Sequence, residues 1–459
     1  MDAVGHVRQR EIALATDLYQ MTMGASYHAL QMRDSATFSL MVRKAPRNRS
    51  FMVVAGIEDL LTRLINLRFD DVALAYLRST GQIRDDFIDA LADFRFEGDV
   101  WAVPEGRIVF PDEPIVEVHA PILQAQIAET LAINSIHYAM AVASKAARCR
   151  LAAPDASLLE FGLRRIPGIE AGSIAARSAC LAGFDATSNL LAGHLYGIPV
   201  AGTVAHSFIE SRSSELEAFR NFRDTFPGPV TLLIDTYDTV RGAHHAVQVA
   251  KEVEGTDKRV GAVRLDSGDL LQLSKEVRRI LDEAGMADVQ IVASGGLDEY
   301  EIKELTDNGA PIDSYGVGTQ IGNSADEPTL DMAYKLVEYA GEGRLKLSTG
   351  KISLVGAKQV WRAYDTAGTL VRDVIATRDE DWPGANWEPL LQPVMQNGRA
   401  IVPMTLNDGK ERFQRELRRM PDYLRSIERQ ATYDVQRSDE LNRRQEAAVQ
   451  QVREREQID

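Results

Sequence analysis

The sequence contains little cysteine, no long apolar run and no surplus of positive charge. Its 459 residues include two cysteines, Cys149 and Cys180, which are too few for a disulfide framework and indicate a reducing compartment. A stretch of about 18 uncharged apolar residues, long enough to span a membrane, does not occur. The N-terminal segment MDAVGHVRQREIALATDLYQ lacks the apolar region of a secretory signal. We therefore expect a soluble, cytoplasmic protein.

The balance of charge is acidic. The chain has 67 acidic and 52 basic residues, which gives a formal net charge of −15. A nucleic-acid partner is not expected, because no basic surplus exists to replace phosphate counterions. A small phosphorylated substrate is compatible with this charge, since it needs only a local positive pocket. The length predicts about two or three domains of roughly 150 residues.

In the middle of the chain, short apolar runs alternate with helix-like stretches. Amphipathic segments over residues 239–254 and 270–284 lie between runs. Repeated strand–helix units of this kind build a parallel sheet covered by helices, either closed as a barrel or open and doubly wound. We favour the barrel. The expected strands are residues 157–161, 198–202, 231–234, 262–265, 289–293 and 314–317.

The two flanks have a different pattern. A helix is expected over residues 16–29 and strands over 36–42 and 115–118, and beyond residue 330 segments alternate around glycine turns, as antiparallel strands do. The flanks are expected to pack together as a second, α+β domain, while the mixed-charge end from about residue 436 predicts a solvated helix or a frayed tail. The predicted division is 1–125 and 331–433 for the flanking domain, 126–330 for the catalytic domain and 434–459 for the tail.

Polar and glycine residues stand where the predicted strands end, which is where parallel sheets gather reactive groups. Arginines there can hold phosphate or carboxylate, carboxylates can bind ribose hydroxyls or hydrated Mg²⁺, and glycine turns expose backbone N–H groups to phosphate. Together they predict a site for a phosphorylated sugar. In strand order these residues are Gly162, Arg164 and Arg165; Thr203, His206 and Ser207; Asp235, Tyr237 and Asp238; Arg264, Asp266, Ser267, Gly268 and Asp269; Ser294, Gly295 and Gly296; Gly318 and Thr319.

Each of these residues also has a purely structural interpretation. An aspartate after a strand is often a helix N-cap, and Gly295 and Gly296 alone would be turn glycines. His206 alone fits a structural role as well as a functional one. Three further histidines are expected to be structural: His194, His244 and His245. Only the coincidence of six strand ends on one predicted face favours function.

The common nucleotide and metal motifs are missing or imperfect. Residues 316–322 read GxGxxxG, one residue off the dinucleotide fingerprint, and no GxxxxGK[ST] segment occurs. HExxH and zinc-type Cys/His spacings are also absent. An ordinary dehydrogenase and a P-loop kinase are therefore disfavoured.

Seven segments of the sequence match segments of one known protein family and occur in the same order as in that family. They are TDLYQMTM (16–23), FGLRR (161–165), GFDATSNLLAG (183–193), GIPVAGTVAHS (197–207), IDTYDT (234–239), VRLDSGDL (263–270) and YGVGTQI (315–321). An eighth segment, GAKQVWR (356–362), is less closely similar to another stretch of the family. The sequence closely resembles nicotinate phosphoribosyltransferase, which joins nicotinate to phosphoribosyl pyrophosphate to make nicotinate mononucleotide. The resemblance implies an irregular α/β barrel of the type II phosphoribosyltransferase kind plus an α/β sandwich built from both flanks.

The resemblance also implies roles for single residues. His206 would be the histidine that ATP phosphorylates, so that ATP hydrolysis is coupled to nucleotide formation. Tyr19, from the neighbouring subunit of a homodimer, and Phe161 would sandwich the pyridine ring. Arg164 would face the nicotinate carboxylate or the product phosphate. Ser188 stands where nicotinamide-using relatives carry aspartate, and a serine hydroxyl can donate to a carboxylate that an aspartate would repel.

The remaining implied residues surround the sugar and its phosphates. Mg²⁺ and ATP are the implied cofactor and co-substrate, and the basic pair Arg43 and Lys44 would reach a neighbouring active site. The ribose, pyrophosphate and Mg²⁺ would be held by Asp235, Arg264 and Asp266 with Thr203 nearby, and the 5′-phosphate by Ser294, Gly295, Gly318 and Thr319.

Three alternatives compete with this interpretation. A nicotinamide-using relative conflicts with Ser188. Quinolinate phosphoribosyltransferase has the same architecture, but it is shorter and needs more basic residues for a second carboxylate. A non-catalytic pyridine-nucleotide sensor would be expected to lose His206 or the acidic pair Asp235 and Asp266, and all three are present.

Overall fold

The two ends of the chain form one structural unit and the middle forms another. The computed structural model describes residues 9–347, 353–381, 384–401 and 403–458. The flank unit comprises the chain up to Ala141 and from Thr329 onward, and the central unit is Val142–Pro328. The expected boundary between residues 125 and 126 falls inside a continuous helix over Ile122–Ala152, so the division lies further along the chain. Of the predicted alternating segments beyond residue 330, residues 348–352, 382, 383 and 402 lie outside the described residues.

The described secondary structure is mixed α and β. The strands are β1 Ser35–Val42, β2 Met52–Val53, β3 Asp99–Ala102, β4 Ile108–Val109, β5 Pro114–Pro121, β6 Ser157–Glu160, β7 Ala186–Thr187, β8 Val230–Leu233, β9 Val260–Leu265, β10 Gln290–Ala293, β11 Ser314–Val317, β12 Met332–Tyr339, β13 Glu342–Gly343, β14 Lys358–Tyr364, β15 Leu370–Thr377, β16 Trp387–Pro389, β17 Gln392–Gln396, β18 Arg399–Ala400 and β19 Val435–Arg437. The helices are α1 Leu18–Ala29, α2 Ile57–Ile65, α3 Asp71–Thr80, α4 Asp85–Leu91, α5 Ile122–Ala152, α6 Ile169–Leu181, α7 Leu190–Tyr196, α8 His206–Glu210, α9 Glu215–Thr225, α10 Thr239–Lys251, α11 Leu270–Glu283, α12 Glu299–Asp307, α13 Thr319–Gly322, α14 Leu406–Arg419 and α15 Asp439–Glu456.

The flank unit contains two larger sheets. One has the strand order β13-β12-β1-β5-β3-β17-β18, and β1 pairs antiparallel with both β5 and β12. The other has the order β16-β14-β15-β19. Because β1 and β5 are buried over most of their length, their apolar runs form the core with α2 and α5. Strands from both ends of the chain therefore share one sheet, as the α+β expectation for the flanks requires.

The central unit contains a parallel sheet whose strand order is β7-β6-β11-β10-β9-β8. Five of the six predicted apolar runs form its strands β6, β8, β9, β10 and β11. A two-residue strand, β7, was not predicted because its apolar run is too short to stand out in the sequence. Helices α10 and α11 confirm the amphipathic segments, and Asp238 and Asp269 accept backbone hydrogen bonds as their N-caps.

The predicted strand over residues 198–202 is wrong. It forms one isolated bridge, in which Val200 pairs with Thr187 of β7. Thr187 N donates to the Pro199 carbonyl at 3.0 Å, and Ala201 N donates to the Thr187 carbonyl at 3.0 Å. Pro199 has no N–H of its own, so a longer ladder cannot continue through it.

This short segment nevertheless spans the two edges of the parallel sheet. After its bridge to β7, the hydroxyl of Thr203 donates a hydrogen bond to the carbonyl of Thr231 in β8. The segment thus bonds to both edge strands, β7 and β8. The sheet is consequently curled, and its strand ends face a common space.

The charged C-terminal tail forms a helix, α15, and not a frayed end. Leu441, Gln445 and Ala448 are buried on one face of this helix. The Gln445 side-chain amide accepts from the backbone N–H of Val355 at 3.0 Å and donates to the carbonyl of Ser353 at 3.2 Å. One face of α15 is therefore docked while the rest is solvated. Among all described residues, no helix combines the length and apolarity needed to cross a membrane.

Candidate active site

The carboxyl ends of the parallel strands enclose a cavity of about 680 Å³. Its wall combines apolar side chains with a few convergent polar groups, which is the usual composition of a small-molecule site. The predicted site residues Phe161, Arg164, Ser188, Thr203, His206, Arg264 and Asp266 all line it. The other lining residues are Leu163, Ile166, Gly168, Ile169, Gly202, Val204, Ala205 and Leu233.

Asp266 has the densest set of contacts in this cavity. One carboxylate oxygen, Oδ1, lies 2.7 Å from Nη2 of Arg264 and accepts from Ser294 Oγ at 2.5 Å. The other, Oδ2, lies 3.9 Å from Nε2 of His206. Burial raises the pKa of Asp266, but the Ser294 hydrogen bond and the Arg264 charge outweigh burial and hold it below its usual value. Asp266 is therefore a carboxylate at neutral pH.

Asp235 lies beside Asp266 and keeps one oxygen uncommitted. Its Oδ2 accepts from the backbone N–H of Asp266 at 3.0 Å and from Ser267 Oγ at 2.6 Å. Its Oδ1 is buried and has no hydrogen-bond partner among the described residues. A buried carboxylate oxygen without a donor is ready to accept from a ligand hydroxyl or to contact a cation.

His206 begins helix α8 and points its two ring nitrogens at different partners. Nδ1 lies 3.1 Å from the hydroxyl of Thr236, and Nε2 faces Asp266. Thr236 was not predicted as a site residue, although it lies within the IDTYDT segment. The three other histidines that we expected to be structural lie in helices outside the cavity lining. His194 lies in the last turn of α7, His244 lies in α10, and His245 in α10 contacts the Glu215 carboxylate at 2.8 Å.

The ring of Phe161 occupies a position that depends on a glycine. A Cβ atom on Gly316 would lie 2.7 Å from two carbon atoms of the Phe161 ring. The Arg264 guanidinium lies 5.8 Å from the ring centroid, in the range of a cation–π contact. The backbone N–H of Phe161 also donates to the Val317 carbonyl at 2.8 Å. Phe161 is thus held on one side by β11 and on another by Arg264.

The residues that we expected to bind the 5′-phosphate lie in the turns after β10 and β11. Gly295 has a φ of 101°, and a Cβ there would lie 1.9 Å from the Asp266 carbonyl oxygen, so this position requires glycine. Ser294 is committed to Asp266, and Thr319 Oγ1 accepts from Arg165 at 3.4 Å. A Cβ on Gly318 would lie 2.5 Å from the Phe161 carbonyl oxygen. These turns therefore pack directly against the elements that carry Asp266 and Phe161.

Models of one protein family match most of the chain. The nicotinate phosphoribosyltransferase N-terminal domain matches residues 14–137, and the nicotinate phosphoribosyltransferase family model matches residues 156–372. The chain belongs to the nicotinate phosphoribosyltransferase family.

Relatives of this family align over most of their own length. A nicotinate phosphoribosyltransferase of Mycobacterium tuberculosis is 46% identical over 92% of this chain and 90% of its own. One from Bacillus subtilis is 39% identical over 80% of this chain and 77% of its own. The crystal structure of human nicotinic acid phosphoribosyltransferase superposes with a TM-score of 0.84 at 30% identity, covering 94% of this chain and 99% of that one. The family assignment thus rests on both sequence and fold.

Three residues that the family resemblance singled out lie in the flank unit. Tyr19 is in α1 with 46% of its surface exposed, next to the exposed Leu18. Arg43 and Lys44 line a separate cavity of about 850 Å³. That cavity contains further cationic side chains and two carboxylates: Lys335, Lys346, Arg437, Asp112 and Asp331. Within a protein of net charge −15, it is a local concentration of positive charge.

The described parts of the chain contain no cluster of side chains that would bind a metal ion without help from substrate or water. No group of three or more His, Cys, Asp or Glu side chains there is arranged to hold a metal ion. The acidic pair Asp235 and Asp266 with the uncommitted Oδ1 fits a cation that takes its other ligands from substrate and water, as Mg²⁺ usually does.

Proposed function

We propose that this protein forms nicotinate mononucleotide and pyrophosphate from nicotinate and phosphoribosyl pyrophosphate, a step of NAD biosynthesis. The observation that carries the proposal is the convergence of Arg264 and Asp266 beside Phe161 in one cavity of a chain that belongs to this family. Asp235 lies directly behind this group, where its carboxylate accepts from the backbone N–H of Asp266. An aromatic wall suits a pyridine ring, and the charged groups suit a phosphorylated sugar. We also assign the curled parallel sheet to the irregular barrels of type II phosphoribosyltransferases.

Nicotinate would be recognised through its ring and its carboxylate. Phe161 would stack on one face of the ring, and Tyr19 of a second subunit would cover the other. Arg164 would face the nicotinate carboxylate or the product phosphate. The hydroxyl of Ser188 would donate to the carboxylate, which favours nicotinate over nicotinamide.

The ribose and its phosphates would occupy the charged half of the cavity. Asp235 Oδ1 would accept from a ribose hydroxyl or contact Mg²⁺, with Asp266 as the second carboxylate. When bound, Mg²⁺ supplies positive charge that balances the pyrophosphate. Thr203 would lie beside the ribose. The 5′-phosphate would be held by Ser294, Gly295, Gly318 and Thr319.

The reaction exchanges one bond at C1 of the ribose for another. The pyridine nitrogen donates its electron pair to C1 while the C1–O bond to pyrophosphate breaks, and that oxygen leaves with the bonding pair. Positive charge develops on the ribose, and the carboxylates of Asp235 and Asp266 favour it. The guanidinium of Arg264 stabilises the negative charge that builds on the leaving pyrophosphate. No proton transfer is needed, because the attacking nitrogen is already unprotonated.

We further propose that ATP phosphorylates His206, which makes the enzyme an ATP-dependent ligase. The placement of the His206 ring beside Asp266 supports this role, because a phosphoryl group there would change the charge next to the bound pyrophosphate. Hydrolysis of the phosphohistidine would then drive the reaction toward nucleotide.

The proposed assembly is a homodimer with active sites at the subunit interface. Tyr19, Arg43 and Lys44 of one subunit would reach the other subunit's cavity, and the cationic flank cavity supports this for the basic pair. Leu190, Leu191 and Leu195 of the short helix α7 are 75%, 43% and 56% exposed, and a group of exposed apolar side chains on one helix suits a subunit contact. We place the enzyme in the cytoplasm, because its two cysteines are buried and form no disulfide.

The proposed function is tested by measuring nicotinate mononucleotide with and without ATP, for the wild type and His206→Ala. We expect ATP to increase product formation by the wild type and to have no effect on His206→Ala, which would retain slow, uncoupled synthesis. If the wild type forms product and ATP has no effect, the transferase activity is supported and the phosphohistidine role of His206 is contradicted. Activity with nicotinamide alone would overturn the assignment of Ser188, and no product with either base would favour a sensor.

A further inference from the structure

A buried carboxylate connects the two turns on either side of the proposed nicotinate site. Glu160 is the last residue of β6 and has no exposed surface. Its Oε1 accepts from the backbone N–H of Gly162 at 2.5 Å, and its Oε2 accepts from the hydroxyl of Thr187 at 2.6 Å. Glu160 was not predicted as a site residue, although it is a charged residue within an otherwise apolar run, and that is the signal that could have identified it.

Each of the two turns carries side chains of the cavity. Gly162 lies between Phe161 and Arg164, while Thr187 is followed by Ser188. The second turn is fixed further, because the backbone N–H of Asn189 donates to Thr187 Oγ1 at 3.0 Å. The Thr187 hydroxyl thus accepts from its own turn and donates to Glu160.

The carboxylate has little freedom to move. A Cβ on Gly162 would lie 2.7 Å from Glu160 Oε1, so Gly162 permits the close approach. Burial raises the pKa of Glu160, and the hydrogen bonds from Thr187 and Gly162 oppose that rise. A buried carboxylate depends on such donors, so a shift of either turn would leave it poorly satisfied. The position of one turn is consequently tied to the position of the other.

We propose that Glu160 is a positioning residue that, through Thr187 and Gly162, sets the separation between Phe161 and Ser188 and thereby the fit and selectivity for the pyridine carboxylate. This inference rests on the proposed function of the cavity. Glu160 itself does not line the cavity and does not touch the reacting atoms. Its effect should therefore fall on nicotinate recognition and not on phosphoribosyl pyrophosphate.

The test compares two substitutions of Thr187, one of which removes the hydroxyl while the other retains it. Thr187→Val keeps the shape and removes the donor to Glu160, whereas Thr187→Ser keeps the donor. Thr377→Val is the matched control, because Thr377 is a buried threonine of the flank unit whose hydroxyl donates to Glu380 at 3.0 Å. Each variant is measured for melting temperature, for KM of both substrates and for the ratio of kcat/KM with nicotinate to that with nicotinamide.

We expect Thr187→Val to raise the KM for nicotinate about tenfold and to lower the nicotinate-to-nicotinamide ratio by a similar factor. The KM for phosphoribosyl pyrophosphate should stay within about twofold of the wild type, and Thr187→Ser should restore the nicotinate values. Glu160→Gln, which retains one acceptor, should fall between the wild type and Thr187→Val. Thr377→Val should lower the melting temperature without changing either KM.

The outcomes separate this inference from the proposed function. If the wild type forms nucleotide and Thr187→Val lowers only the melting temperature, with KM and selectivity unchanged, Glu160 is structural and the inference is wrong. Equal increases in both KM values would contradict it as well. If the wild type forms no nucleotide from nicotinate, the proposed function itself fails, and the inference fails with it.

Discussion

The substitution Gly316→Ala tests whether the position of the Phe161 ring matters for nicotinate. The new Cβ would lie 2.7 Å from two ring carbons, about 0.8 Å short of an ordinary carbon–carbon contact of roughly 3.5 Å. It would also lie 3.2 Å from Cβ of Ser294, so it cannot avoid the ring by moving toward β10. The ring therefore has to move by close to 1 Å.

Two effects of different size follow from this displacement. Overpacking of a filled site costs about 1–3 kcal/mol of folding free energy, which a small reduction in unfolded-chain entropy partly offsets. A displacement of about 1 Å in a substrate-positioning group can lower the rate about 10²-fold. We expect kcat/KM for nicotinate to fall by roughly that factor, while the melting temperature falls by a few degrees only.

Steady-state kinetics and thermal melting on the same preparation separate the two effects. The control is Gly228→Ala, because the nearest atom to a Cβ at Gly228, Cε1 of Phe226, lies at 4.0 Å. That variant should match the wild type in both measurements. The reasoning is refuted if Gly316→Ala retains the wild-type kcat/KM for nicotinate while it is folded.

Three further predictions concern specificity, stability and pH. Ser188→Asp places a negative charge beside the nicotinate carboxylate, so the nicotinate-to-nicotinamide ratio of kcat/KM should fall at least about tenfold in initial-rate assays. Arg362→Met leaves the buried carboxylates of Asp373 and Glu416 without their shared guanidinium, and urea unfolding should show a loss of about 3–5 kcal/mol. Burial lowers the pKa of His137, whose Nε2 accepts from the backbone N–H of Leu330. The folded state then binds the proton less tightly than the unfolded state, so this contribution to stability is complete above the unfolded pKa of about 6.5 and declines as pH falls toward the folded pKa. Between pH 7 and pH 5, His137→Gln should therefore lose less stability than the wild type in urea unfolding.

Each of these predictions would be contradicted by one specific result. Ser188→Asn, which adds no charge, is the control for Ser188→Asp, and an equal change in both variants would exclude electrostatic repulsion. An unchanged free energy of unfolding for Arg362→Met would contradict the stabilising role of this buried ion network. Parallel pH profiles for His137→Gln and the wild type would exclude His137 as a source of acid sensitivity.

Strand ends were predictable because hydrophobic periodicity and terminal polar residues are local features of the sequence. Asp266 and Arg264 were placed correctly at the end of an apolar run, and the structure brings them together. The predicted strand over residues 198–202 was wrong for an equally local reason, because Pro199 has no backbone N–H to donate to a neighbouring strand. Short β7 could not be predicted because pairing with β6, and not its own composition, makes it a strand.

The connections between site residues depend on tertiary contacts that no sequence pattern encodes. The contact of Asp235 with the backbone N–H of Asp266 appears only when β8 and β9 lie side by side. The partner that Thr236 provides for His206 appears only when the segment before α8 lies against β8. Glu160 is the clearest case, because its two donors come from different strand ends. Family resemblance supplied roles for Tyr19, Arg43 and Lys44 that the residues alone did not suggest.

The most direct test of the central claim is the stoichiometry of products from nicotinate and phosphoribosyl pyrophosphate. Purified wild-type protein with Mg²⁺ should release nicotinate mononucleotide and pyrophosphate in equal amounts, each identified by mass. Asp266→Asn, which keeps the shape of the site and removes its central charge, should lower that rate by about 10² or more. Pyrophosphate without nucleotide, or neither product from a folded protein, would contradict the assignment of this cavity as the site of nucleotide formation.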